Sequence, residues 1–196
     1  MSNLIPMVVE SSGQSERAYD IYSRLLKDRH IFLNDSVNQQ TASIINAQLI
    51  YLDHESTDNI IFCIDSPGGS VYSGLSIIDT MNYINSDIAT IGQGICASMA
   101  AVLLCCGTKG KRYALPNTTI MIHQLLSSHS GPFKDLEVQY NESERLWESL
   151  IAILCEKTGK TKKQIKDACD RDKYLSAEDA VKFGLIDKIV ESRSSL

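Results

Sequence analysis

A serine at the turn between a predicted strand and a predicted helix is a candidate for covalent chemistry. The run Gly92-Gln-Gly-Ile-Cys-Ala-Ser98-Met99 places the Ser98 hydroxyl at a helix start, where it faces the positive end of the helix dipole. The N–H of Met99 has no partner within that helix. A nucleophilic serine needs a sharp turn, an exposed Oγ and a neighbouring oxyanion donor. The run does not match G-x-S-x-G, so a plain N-cap role for Ser98 stays open.

A second glycine-bearing turn, Asp65-Ser-Pro-Gly-Gly69, follows a continuous apolar run. Glycine permits a positive φ and a close approach of the backbone. Backbone N–H groups in such a turn can hold an anion, including a transient oxyanion. The turn is therefore a candidate for stabilising a transition state.

A general base for the serine is sought among the histidines, and His123 at the end of the run Ile120-Met-Ile-His123 is the best placed. The end of a strand lets an imidazole project into a site, although a structural role for His123 also fits the pattern. A carboxylate should orient the imidazole. Asp172 lies in a loop just before a short strand, but the pattern alone does not choose it over Asp170 or Asp167.

Strands and helices alternate along the chain, which predicts one α/β domain with right-handed crossovers between parallel strands. Residues 1–15 are predicted to be a flexible segment, with Ser15 capping the first helix. The long helix carries more apolar residues than one flank of a small core needs, which indicates packing against a partner chain. Strands are predicted at 30–33, 59–64, 88–92, 112–115, 119–123 and 185–190, and helices at 17–29, 36–53, 72–85, 98–106, 134–157, 161–169 and 176–183.

Composition and charge exclude several classes of protein. The chain has 196 residues, of which 43% are hydrophobic and 22% charged, so it is neither a disordered nor a low-complexity chain. Its net charge of −5 argues against binding to nucleic acid or to an anionic membrane. No apolar run reaches the ~18 residues of a membrane span, and no signal-peptide pattern is present. We expect a cytoplasmic protein.

The six cysteines form no C-x-x-C pair and no zinc spacing with histidine. Most lie inside apolar runs, which predicts buried free thiols in a reducing compartment. We expect no metal site.

Several motifs follow one another over nearly the whole chain. They are Asn3-Leu-Ile-Pro6, Glu16–Asp28, Ser66-Pro-Gly-Gly-Ser70, Ala97-Ser-Met99, Lys109–Asn117, Met121-Ile-His-Gln124 and Gly184-Leu-Ile-Asp-Lys188. Together and in this order they resemble the ClpP family, the proteolytic subunits of the bacterial Clp protease.

The resemblance implies a crotonase-like α/β fold in one peptidase domain over 1–196. Residues 1–15 would be an N-terminal axial segment, and a protruding handle of strand and helix would span about 124–157. Two stacked heptameric rings, a tetradecamer, would enclose a chamber of serine active sites.

By the same resemblance, Ser98 is the nucleophile, His123 the general base and Asp172 the carboxylate that orients it. The backbone N–H groups of Gly69 and Met99 would form the oxyanion hole. The expected activity is that of a serine endopeptidase that cleaves unfolded polypeptides.

The resemblance also implies contacts with other subunits. Asp170 and Arg171 match a charged pair that senses the interface between rings, although a solvated loop pair is the alternative. Tyr83, Tyr113 and Cys63 correspond to a surface pocket that docks the loops of a partner AAA+ unfoldase. The chain has no G-x-x-x-x-G-K-[ST] motif, so ATP would be used only by that partner and no cofactor is expected here.

The chain departs from the family pattern near the site and at the docking pocket. His123-Gln-Leu-Leu-Ser-Ser128 replaces the usual His-Gln-Pro-Leu-Gly-Gly, and Pro132 stands where a glutamine commonly bonds between rings. Proline cannot donate to a strand ladder. Cys63 replaces a tyrosine. Asp65 replaces an asparagine, and its charge could oppose an oxyanion unless it points away.

These departures motivate the hypothesis of a divergent paralogue that is weakly active alone or works in a mixed ring with another ClpP. Two other classes compete with a peptidase. One is a crotonase-fold acyl-CoA enzyme, which would use similar backbone turns for an enolate. The other is a non-catalytic subunit of the ring.

Overall fold

A mostly parallel seven-stranded sheet with helices packed against it forms the body of the protein. The computed structural model describes residues 5–12 and 15–192. Within them the strands are β1 (Met7–Ser12), β2 (Ser15–Asp20), β3 (His30–Leu33), β4 (Ile60–Ser66), β5 (Ile88–Ala97), β6 (Arg112–Ala114), β7 (Thr119–Ile122), β8 (Lys173–Leu175) and β9 (Lys188–Ile189). The helices are α1 (Ile21–Lys27), α2 (Gln39–Glu55), α3 (Val71–Tyr83), α4 (Met99–Cys105), α5 (Phe133–Thr158), α6 (Lys162–Cys169) and α7 (Ala177–Phe183).

The sheet runs in the order β3-β4-β5-β6-β9, and the far half of β5 pairs with β7 instead of β6. All of these pairs are parallel, whereas β8 lies antiparallel to β7. This arrangement confirms the predicted α/β fold. It also gathers the carboxyl ends of β4, β5 and β7 at one edge, where ligands bind in open α/β sheets.

Helix α4 lies within the hydrophobic core, and its seven residues are all buried. A short helix that is apolar on every side must be covered on every side. On the sheet, Phe62 and Ile64 of β4 are 0% exposed. The rigid packing around α4 fixes the position of the residue that precedes it, Ser98.

The predicted helix at 17–29 is wrong in its first third. Residues 7–12 and 15–20 form an antiparallel hairpin, with Met7 opposite Asp20 and Ser12 opposite Ser15. Helix α1 begins only at Ile21, because the Asp20 side chain accepts the Ser23 N–H at 2.9 Å as its N-cap. Residues 7–12 of the predicted flexible segment are therefore a strand, and residues 1–4 and 13–14 lie outside the described residues.

Strand β5 continues past the predicted bend at Gly92-Gln-Gly94. The pairing with β4 shifts register between Ile64 and Ser66, so the extra residues form a bulge. Gly94 adopts a φ of +49° there, and pairing resumes with Ser66 opposite Cys96. The glycines thus bend the strand without ending it.

The segment that follows β7 contains no strand within the described residues 123–132, so the predicted handle strand is absent from the single chain. Pro132 occupies the N-cap of α5, and its carbonyl accepts the Asp135 N–H at 2.9 Å. A proline is tolerated at the start of a helix, where its missing N–H costs nothing. Within the single chain, an irregular segment therefore precedes the helix α5.

Candidate active site

Ser98 sits on a strained turn between β5 and α4. Its φ of 56° and ψ of −124° fall in a region that a residue with a Cβ rarely adopts, at a cost of about 1–3 kcal/mol. Ser98 holds the N-cap position of α4, but its side chain makes no capping bond. The plain N-cap role is therefore wrong, and the hydroxyl is available for other contacts.

His123 contacts the hydroxyl of Ser98. Its Nε2 lies 2.8 Å from the Oγ of Ser98. The contact follows from strand pairing, because Ala97 of β5 lies opposite Met121 of β7 and the next residues leave the sheet at the same edge. The Ser98 N–H also donates to the Met121 carbonyl at 2.8 Å. The side chain of His123 is only 12% exposed, so it is fixed and largely shielded from water.

Asp172 is the carboxylate nearest to the other side of the imidazole. Its Oδ1 lies 3.7 Å from His123 Nδ1, and its side chain is 59% exposed. This distance exceeds that of a hydrogen bond. Asp172 is brought there by the antiparallel pairing of β7 and β8, in which Ile122 lies opposite Lys173. The two groups are neighbours that are not in direct hydrogen-bonding contact.

The glycine turn after β4 lies directly against the start of α4. Gly68 and Gly69 have φ values of +89° and +147°. A Cβ on Gly68 would lie 2.7 Å from the Cβ of Ser98 and 2.9 Å from the N of Met99. Only glycine fits so close an approach. The predicted oxyanion turn and the serine are thus brought together.

The N–H of Gly69 is not used by the bonds that hold this turn. Those bonds run from Val37 N to Gly68 O and from Ser70 N to Val37 O, each 2.8 Å long. The N–H of Met99 is the first of α4 and has no partner within the helix. Both predicted oxyanion donors are therefore backbone N–H groups that are not used by the bonds of the turn or of the helix.

The carboxylate of Asp65 forms its hydrogen bond with strand β5. Its Oδ1 accepts the Ile95 N–H at 3.0 Å and lies against Gly94 in the β5 bulge. The aspartate that stands in place of the usual asparagine is therefore accommodated by a hydrogen bond from a backbone N–H of β5. The carboxylate stabilises the bulge that precedes Ser98.

Asp170 and Arg171 form an ion pair in solvent within this chain. The Arg171 Nε lies 3.7 Å from Asp170 Oδ2, and the two side chains are 88% and 74% exposed. Such a pair is worth under ~1 kcal/mol. Gln124, for which the sequence predicted no role of its own, donates from Nε2 to the Asp170 carbonyl at 2.8 Å. It ties the loop that carries Asp172 to the end of β7.

The predicted docking residues separate into two places. Cys63 and Tyr113 lie in one row across the sheet, with Ile91 between them, and directly paired residues share a sheet face. Cys63 is 5% exposed, and burial raises the pKa of its thiol to about 11. Tyr83 instead lies at the end of α3, where it lines a cavity with Tyr72.

The row of paired residues that contains Cys63 also includes Phe32, which belongs to an aromatic pair that the sequence did not predict. Phe32 lies opposite Cys63, and its ring meets that of Tyr22 edge to face at 5.7 Å. Together with Ile44 they line a cavity of about 300 Å³. Only the register of β3 and β4 reveals this neighbourhood.

The cysteines are all free thiols, and five of the six are buried. Burial raises the pKa of Cys96 to about 12 and that of Cys105 to about 11. Across residues 5–12 and 15–192, no cluster of His, Cys, Asp and Glu is arranged to hold a metal ion. No helix in the described part of the chain has the length and hydropathy needed to span a bilayer.

A comparison with known families finds one match. Residues 13–193 match the family model for Clp protease. The match covers the hairpin strand β2, the whole sheet and all the candidate site residues. It extends over nearly the whole chain, as the motifs predicted.

Proposed function

The chain belongs to the Clp protease family, and on this basis we propose that it is a serine endopeptidase that cleaves unfolded polypeptides through Ser98, His123 and Asp172. The observation that carries the proposal is the 2.8 Å contact between Ser98 Oγ and His123 Nε2. A hydroxyl and an imidazole at this distance can exchange a proton during attack on a carbonyl.

The reaction begins when His123 accepts the proton of Ser98 as Oγ attacks the peptide carbonyl. The resulting oxyanion lies against the N–H groups of Gly69 and Met99, and the loss of one such donor typically lowers the rate by ~10²–10³. His123 then protonates the leaving amine. Water, activated by the same imidazole, releases the acyl group and restores Ser98.

Asp172 orients His123 in this mechanism. Its carboxylate is 3.7 Å from Nδ1, and it must approach to within about 3.2 Å to accept a hydrogen bond. The Asp172 side chain is 59% exposed, which leaves it space to rotate toward Nδ1. Catalytic contacts are often long before a substrate binds.

The peptidase would work in an assembly, as the family implies. We propose two stacked heptameric rings with a partner AAA+ unfoldase that hydrolyses ATP, in the cytoplasm and without a cofactor on this chain. Phe133 of α5 is 85% exposed and Leu126 before it is 77% exposed, which supports burial between rings. The aromatic cavity around Phe32 and Tyr22 supports docking of an apolar loop.

A second candidate is a paralogue that is weakly active alone and works in a mixed ring. The observation that favours it is Pro132 at the N-cap of α5, because a proline cannot donate to a strand ladder with a substrate or a neighbouring subunit. An acyl-CoA enzyme is disfavoured by the family match and by the hydrogen-bonded serine and histidine.

The test is covalent labelling of Ser98 by a fluorophosphonate together with hydrolysis of a short fluorogenic peptide. We expect labelling and turnover in the wild type and neither in Ser98→Ala. The control Ser149→Ala, a half-buried serine in α5, should retain both. Equal labelling of wild type and Ser98→Ala would overturn the proposal. Turnover that appears only when another ClpP is added would favour the mixed ring, whereas full activity alone would exclude it.

A further inference from the structure

The hydroxyl of Ser66 is buried at the end of β4, next to the glycine turn. The residue is 0% exposed. Its Oγ donates to the Asp35 carbonyl at 2.7 Å and accepts the Gly68 N–H at 3.1 Å. Because a serine has one donor, that proton is committed to Asp35. The side chain therefore joins the turn to the loop that follows β3.

The same loop fixes the peptide unit between Gly68 and Gly69. The carbonyl of this unit, Gly68 O, accepts the Val37 N–H at 2.8 Å. In a trans peptide the C=O and N–H point in opposite directions, so this bond turns the Gly69 N–H away from Val37. Segment 35–37 thus sets the direction of the candidate oxyanion donor.

The glycines do not hold this conformation by themselves. Glycine populates positive φ about as readily as negative φ, so the shape of the turn depends on its hydrogen bonds. The turn is joined to segment 35–37 by Ser66 Oγ to Asp35 O, by Val37 N to Gly68 O and by Ser70 N to Val37 O. Of these bonds, only that of Ser66 is made by a side chain.

We propose that Ser66 is a positioning residue that holds the Gly68–Gly69 peptide in place for the oxyanion, an inference that rests on the proposed peptidase function. Removal of the hydroxyl leaves the Gly68 N–H unpaired at a buried site and cuts the bond from the turn to the Asp35 carbonyl. The turn then relaxes toward other glycine conformations. Its donor is displaced from the transition state, whereas binding of the substrate in its ground state is little changed.

The experiment compares Ser66→Ala with the control Ser86→Ala in the full-length, assembled protein. Ser86 is also a buried serine, 5% exposed, and its hydroxyl lies 2.8 Å from Asp53 and 3.2 Å from the Ser56 carbonyl. It precedes β5, at the opposite end of the sheet from Ser98. The measurements are kcat and KM on a fluorogenic peptide, the affinity for a peptide boronate that forms a tetrahedral adduct with Ser98, and thermal stability.

We expect Ser66→Ala to lower kcat by about 10- to 100-fold, less than full loss of an oxyanion donor, with KM within threefold. Boronate affinity should fall in parallel. Ser86→Ala should lose a similar amount of thermal stability and keep its kcat. Equal kcat values in the two variants, or an unchanged boronate affinity in Ser66→Ala, would overturn the inference. A wild type that neither cleaves the peptide nor reacts with the boronate or a fluorophosphonate would instead refute the proposed function, and this inference with it.

Discussion

The conformation of Ser98 depends on the residues around it. A positive φ at a serine costs free energy that the surroundings must offset. Ala97 and Met99 on either side are 3% and 2% exposed, and the Ser98 N–H is bonded to the Met121 carbonyl. Sheet pairing before the residue and helix packing after it leave no room for relaxation. The hydroxyl is therefore directed toward His123 by the backbone.

Asp172 provides the prediction at the residue scale. Asp172→Asn removes the charge that would steady the imidazolium, and its amide can favour the wrong tautomer of His123. Because Asp172 is 59% exposed, we expect kcat to fall by about 10²- to 10³-fold, less than the ~10⁴ seen for a buried triad aspartate. KM should stay nearly constant. Peptide-hydrolysis kinetics measure both parameters.

The matched control is Asp167→Asn, which removes the same charge from an exposed position on α6. It should leave kcat unchanged. If the two variants were equally active, Asp172 would have no orienting role.

Residues whose setting is local could be predicted from the sequence, and those set by distant pairing could not. Ser98 and His123 were identifiable because the residues next to them in the sequence indicate a turn before a helix and the end of a strand. The proximity of Asp172 to His123 depends on the register of β7 against β8. The bond from Ser66 to Asp35 joins residues 31 positions apart.

At the scale of elements, long-range pairing again explains the errors of prediction. The spacing at 17–29 suits a helix, yet residues 15–20 pair with residues 7–12. Their hydrogen bonds are satisfied across the hairpin, and Asp20 then caps the shorter helix. Most other helices and strands were predicted to within a few residues, because their periodicity and caps agree with the packing.

Arg112 connects three elements through a single buried side chain. It starts β6, is 5% exposed, and its Nη1 donates to the carbonyls of Lys157 in α5 and Gly184 after α7. Asp187 accepts its Nε–H at 2.9 Å and the Gly110 N–H at 2.7 Å. Burial raises the pKa of Asp187, but the Arg112 and backbone bonds more than compensate, so that its pKa is lowered overall.

Asp187→Asn should therefore destabilise the protein in a pH-dependent way. At pH 7 we expect a loss of about 3 kcal/mol in the free energy of unfolding, because a buried guanidinium loses its counter-charge. This is the low end for a buried pair, since the Asp187 side chain is 20% exposed. A lowered folded-state pKa means that the ionised carboxylate stabilises the fold above pH ~4. That contribution is lost as the pH falls through the folded-state pKa.

Urea unfolding of the wild type and Asp187→Asn between pH 7 and pH 3 measures the difference. The difference in the free energy of unfolding between the wild type and Asp187→Asn should be largest at neutral pH and should decrease below pH ~4. Asp179→Asn, which removes an exposed partner of Lys182, serves as control and should show little effect at any pH. If the free-energy difference between the wild type and Asp187→Asn did not change with pH, the lowered pKa of Asp187 in the folded protein would be contradicted.

At the scale of the whole molecule, α5 carries an apolar stripe beyond the core. Phe133, Tyr140 and Trp147 are spaced at seven residues, so they share one side of the helix. Trp147 packs against the core, whereas Tyr140 is 61% and Phe133 is 85% exposed. The apolar stripe therefore extends from the core to an exposed part of α5. Its exposed end is the surface that we assign to contact between rings.

Phe133→Glu tests that surface, because a charge there cannot be buried between two rings without a large desolvation cost. Glutamate in the first turn of a helix is favourable, so α5 itself should remain intact. Native mass spectrometry should show double rings for the wild type and single rings for Phe133→Glu. The control Val9→Glu alters a residue of the N-terminal hairpin that is 59% exposed and should keep the double ring. If Phe133→Glu kept it equally well, α5 would not hold the rings together through this stripe.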